Sequence, residues 1–100
     1  MKAALLCAVL LSGCATGEYW HKAHDALPVV NIAAMPDMRF CVGNRDTQGC
    51  TIRLAGQCMI FYHADLDGNA SLKACVLSHE RKHCAGYDHA PGPVSTWICT

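Results

Sequence analysis

Four residues with chemistry to offer stand in one short run: His79, Glu80, His83 and His89, within His79-Glu80-Arg81-Lys82-His83-Cys84-Ala85-Gly86-Tyr87-Asp88-His89. The run fits the spacing H-E-x-x-H-x-x-G-x-x-H. Zinc prefers imidazole nitrogen and tetrahedral geometry. Histidines at i and i+4 of a helix lie one turn apart on one face, with Cβ atoms about 6 Å apart, so two ring nitrogens can converge on one ion. A third ligand must come from chain that leaves the helix and returns. Gly86 stands where left-handed backbone can end a helix, and Tyr87 and Asp88 then carry the chain round to His89. His79, His83 and His89 are therefore the expected zinc ligands, with the Glu80 carboxylate beside the first. Three protein ligands leave a fourth position open, as hydrolytic zinc sites require. HExxH arises by chance in roughly one such sequence in a hundred, and the glycine and third histidine lower that to roughly one in tens of thousands. The pattern thus speaks strongly for zinc, less for hydrolysis, and little for substrate. Asp88 is an alternative ligand or a hydrogen-bond partner for a ligand histidine. Tyr87 reads as packing, and His21, His24 and His63 as surface or sheet histidines.

A helix must position the first two histidines. It is expected from about residue 70 to Ala85, capped by Asn69 or Ser71. On a helical wheel Leu72, Cys75, Val76, His83 and Gly86 fall within about 60° of His79, so one apolar stripe leads into both ligands and is expected to pack on a sheet. The strands expected for that sheet are 27–32, 38–42, 50–54 and 58–63, with turn chemistry at 43–49 and a break at Ala55-Gly56. The clearest strand, Cys58 to His63, is expected at the edge of the sheet, where an extended peptide could pair with it. Asp65-Leu66-Asp67-Gly68-Asn69 reads as a tight turn, its glycine being too early for a calcium-binding EF-hand loop. Residues 16–26 read as a tether, or a short helix over 19–26. The expected fold class is α+β: a small antiparallel sheet packed on one active-site helix.

The N-terminus bears on location. Lys2 and the apolar run 3–11 precede Leu11-Ser12-Gly13-Cys14, which resembles a bacterial lipobox. That resemblance implies a signal peptide over 1–13, lipidation of Cys14, a tether to residue 26, and a domain over 27–100. With Ala15 after the cysteine, it also implies an outer-membrane anchor facing the periplasm. Several acyl chains together hold a protein on a membrane where one would not. A chain this short buries a modest core and usually needs covalent staples. Cys41, Cys50, Cys58, Cys75, Cys84 and Cys99 remain for three disulfides in an oxidising compartment. Cys75 and Cys84 cannot pair, because nine residues of one helix separate them by about 13 Å of rise. The net charge of zero gives no sign of a nucleic-acid partner.

The motif from His79 to His89 resembles the metzincin clan of zinc peptidases. In that clan the three histidines hold zinc and the glutamate is the general base. The resemblance implies that Glu80 takes a proton from a zinc-bound water and passes it to the leaving amine, with peptides or envelope proteins as substrates. Ligation needs neutral imidazole, so activity is expected to fall below about pH 6. The chain departs from the clan after His89, where no methionine follows to form the clan's methionine turn. Trp97 is the residue that could pack in its place. The alternative expectation is a non-catalytic, disulfide-stapled envelope lipoprotein with a structural zinc, serving as a binding module for an envelope protein.

Overall fold

The structure, a computed structural model, describes residues 20–90 and Cys99. The lipobox with Cys14, the tether to residue 19, and Trp97 lie outside the described residues. The elements are β1 (Trp20–Lys22), β2 (Val29–Met35), α1 (Arg39–Val42), β3 (Gly49–Leu54), β4 (Gln57–His63), a 3-10 helix (Ala64–Gly68), α2 (Ala70–Cys84) and β5 (Tyr87–His89). The fold is α+β, with two small sheets, one main helix and three disulfides among the described residues.

The alternation of Gln57-Cys58-Met59-Ile60-Phe61-Tyr62-His63 makes β4 two-sided: Cys58, Ile60 and Tyr62 are buried and the residues between are not. Strand β4 is the centre of its sheet, in the order β2-β4-β3, rather than its edge. The sheet is also mixed rather than antiparallel, because β2 runs parallel to β4. An edge position for β4 would leave the most apolar alternation in the chain with one unpaired side. The free edges among the described residues fall instead on β2 and β3. Strands β3 and β4 form a hairpin closed by Ala55 and Gly56, both with positive φ (54° and 74°), the conformation that matches the twist of two-residue hairpins.

Residues 38–42 form one helical turn, not a strand. Met38 is fully buried and Cys41 bonds to Cys50, which ties this turn to the sheet face away from α2. Phe40 meets Phe61 edge-on there, ring centres 5.0 Å apart. The tight turn at 65–69 is a 3-10 helix, in which Asp67 accepts from Tyr62 and from Lys73.

Helix α2 begins at Asn69, whose side chain accepts from the Leu72 amide. Its buried residues are Val76, His79, Glu80 and Cys84. The face packed on the sheet carries Val76 of the expected stripe, with Leu72 and Cys75 against the same cluster, and extends round the helix to Leu77 and Cys84. Two disulfides flank this face. Cys58–Cys84 draws the far side of the helix onto β4, and Cys75–Cys99 secures the near side. The stripe of His79 and His83 is thereby left to face a cleft. The pairing respects the exclusion of Cys75 with Cys84. No helix among the described residues is long and apolar enough to cross a membrane.

Candidate metal centre

His79 is buried, His83 half-buried and His89 exposed, and one ring nitrogen from each lies within 4.8 Å of the others. The Nε2 atoms of His79 and His89 are 3.2 Å apart. A tetrahedral ion with bonds of about 2.0–2.1 Å places neighbouring donor atoms about 3.3 Å apart, so this spacing suits two ligands of one ion. Nδ1 of His83 is 3.0 Å from the Tyr87 carbonyl. The carbonyl can only accept, so Nδ1 carries the proton and Nε2 keeps its lone pair for a metal. The donor set and its spacing fit a metal ion.

The third ligand is brought in by two features. Gly86 has φ 101° and lies so close to the His24 carbonyl that a Cβ would collide with it. Strand β5 then pairs antiparallel with β1, placing His89 opposite Trp20. The described part of the segment expected to be a tether or short helix, residues 20–26, is therefore a strand and a wrap around the end of α2. Ala23 and His24 donate their amides to the Gly86 carbonyl, at 2.8 and 3.0 Å. Leu27 donates to the Cys84 carbonyl at 2.8 Å. The last carbonyls of α2 also accept from cations: Lys22 reaches Ala85 at 2.8 Å, and Arg53 reaches His83 at 2.6 Å. Charge and hydrogen bonds together satisfy a helix end that the motif leaves open.

Glu80 is 4 % exposed. Burial pushes its carboxyl above the usual carboxylate range, partly offset by a hydrogen bond from Thr51. The Thr51 hydroxyl donates to Oε1 at 2.8 Å. Gly49 stands opposite this part of the helix: a Cβ there would lie 2.7 Å from Val76 Cγ1 and 3.1 Å from Glu80 Cγ.

A cleft of about 850 Å³ runs along β3, and His79, His83, His89 and Glu80 all line it. Its lining also includes Val42, Gln48, Gly49 and Thr51. Asp88 lines it too, but its carboxylate is 3.8 Å from His83 Nδ1 and bonds instead to His24 at 3.1 Å. The Tyr87 carbonyl therefore takes the orienting role that Asp88 could have had. The Tyr87 ring lies under the ammonium groups of Lys22 and Lys82 as a packing element. His63 is apart from the cleft, its Nδ1 accepting from the Asp65 amide. Sequence reasoning missed Thr51, Gly49 and Trp20, which have no local signal, since each acts through contacts far along the chain.

These residues define a class: a small disulfide-linked α+β domain carrying a three-histidine group able to hold a metal ion. Comparison with protein-family models, curated proteins and solved structures gives no match to the chain.

Proposed function

We propose that this chain is a zinc-dependent peptidase, lipid-anchored through Cys14 to the bacterial envelope, that hydrolyses peptide bonds of envelope peptides or proteins. The observation that carries the reading is a shared opening: three converging imidazoles and a buried carboxyl face one cleft. Three nitrogen donors suit zinc better than calcium or magnesium, which take oxygen. Bound there, zinc supplies Lewis acidity, which acidifies water and polarises a carbonyl. Glu80 is the general base, buried beside the first ligand and lining the same cleft. The Thr51 hydroxyl holds one of its oxygens, which fixes the direction in which the carboxyl takes a proton and returns it to the leaving amine. Strand β3 borders the cleft and pairs only with β4 among the described residues, so its outer edge can bond an extended peptide. Five residues separate Cys14 from Trp20, a reach of at most about 22 Å, so a lipid at Cys14 would hold the cleft close to the membrane.

The test uses the purified full-length protein. Elemental analysis should find one zinc per chain, and His83→Ala should lose it. Glu80→Gln should keep the zinc and lose turnover of an unstructured peptide by about 10²-fold or more. A protein without zinc ends this reading. Turnover untouched by Glu80→Gln removes Glu80 as the base. Zinc without turnover leaves the binding-module alternative.

A further inference from the structure

Trp20 stands in a position that neither the motif nor its chemistry requires. Its ring centre lies 5.0 Å from His79, 5.1 Å from His83 and 5.2 Å from His89. The three imidazoles are themselves 4.8–5.2 Å apart, centre to centre. An indole equidistant from three such rings lies over the middle of the triangle they form. All three histidines line the cleft and Trp20 does not. Cross-strand pairing with His89 holds Trp20 there.

We propose that Trp20 is a positioning residue that closes the rear of the metal site, so that an ion held by the triad keeps its open coordination position on the cleft side only. The inference rests on the metal reading of the triad. Physically, the indole does two things. Its edges and face pack all three ligand rings at ordinary aromatic contact distance, which limits their rotation about χ2. It also fills space that water would otherwise enter to raise the coordination number from behind. The residue touches the ligands and not the substrate side, so its effect on hydrolysis is indirect.

The experiment uses full-length protein stripped of metal and titrated with Zn²⁺ and Co²⁺. The chain has two tryptophans, so Trp97→Phe leaves Trp20 as the sole indole emitter. In that protein Co²⁺ should quench the emission strongly, because its open d shell sits against the ring, while closed-shell Zn²⁺ should not. Trp20→Ala should weaken Zn²⁺ binding at least tenfold. It should also reduce the Co²⁺ d–d absorption severalfold, as a four-coordinate site gains water and becomes five- or six-coordinate. Trp20→Phe should restore most of both, and thiol titration should find the disulfides intact in each variant. Zn²⁺ affinity and Co²⁺ spectrum unchanged in Trp20→Ala, with binding still abolished by His83→Ala, would overturn the inference and leave the metal site standing. Tighter binding in Trp20→Ala would overturn it as well, by placing the indole in the open position. Sole-tryptophan protein that binds Co²⁺ without quenching counts against it independently of how Trp20→Ala folds. Binding that survives His83→Ala removes the metal reading itself.

Discussion

Glu80 is held between opposing influences. Burial disfavours its charged form, and the Thr51 hydroxyl favours it, with burial the larger. A carboxyl whose folded-state pKa lies above its unfolded value of about 4.3 imposes no penalty below that value. The penalty grows as pH rises past it and is complete above the raised folded value. Metal-free Glu80→Gln should therefore be more stable than the parent at neutral pH, with the advantage vanishing toward about pH 4. Denaturant unfolding at both pH values with a chelator present checks this, and an advantage growing in acid would contradict it. Gly49→Ala should cost about 1–3 kcal/mol, because the new methyl meets the buried Val76 side chain and the Glu80 stem. Thermal melts would show the loss. The contrast between these residues says what could be read in advance. His79, Glu80, His83 and His89 were legible because helix geometry turns fixed spacing into fixed position. Gly49 and Thr51 are 31 and 29 residues from Glu80, and no local rule links them.

At the scale of elements, the main helix and strands β2 to β4 could be read from pattern, and their partners could not. Alternation along β4 shows that it is a strand but not that it lies at the centre, since register and neighbour depend on the whole sheet. Residues 38–42 carry strand-like composition, yet Met38 and Cys41 are taken up by burial and a disulfide that only a helical turn satisfies. The helix wheel placed His79 and His83 on one face and Leu72, Cys75 and Val76 against the core, but it left out Leu77 and Cys84, which pack on the sheet as well, Cys84 through a disulfide to β4. Gly86→Ala should collide with the His24 carbonyl and strain φ, displacing His89. The expected outcome is a loss of more than about 1 kcal/mol in stability and at least tenfold in zinc affinity, read by calorimetry. Ala55 has φ 54° without being glycine. Ala55→Asn should therefore stabilise the β3–β4 hairpin by about 0.5–1 kcal/mol and raise the melting temperature without touching the cleft.

For the molecule as a whole, cysteine is core as well as crosslink. Cys50, Cys58, Cys84 and Cys99 are all buried, and Cys58 and Cys84 form one apolar cluster with Ile60. By chain entropy, a loop of 26 residues closed by Cys58–Cys84 is worth about 3.5 kcal/mol, against about 2.6 for the nine-residue loop of Cys41–Cys50. The double variant lacking Cys58 and Cys84 should accordingly lose more stability than that lacking Cys41 and Cys50. It should also lose metal affinity at the three-histidine group, since Cys84 adjoins His83; unfolding curves and metal titration measure both. The pairing of β1 with β5 also sets an order of assembly. Trp20 and His89 are 69 residues apart in the sequence, so a chain made N-terminus first lacks the third imidazole until β5 has been synthesised. Closure of the three-imidazole group is thereby deferred until both strands exist, and a nick between residues 22 and 29 would leave β1 held to β5 by pairing alone.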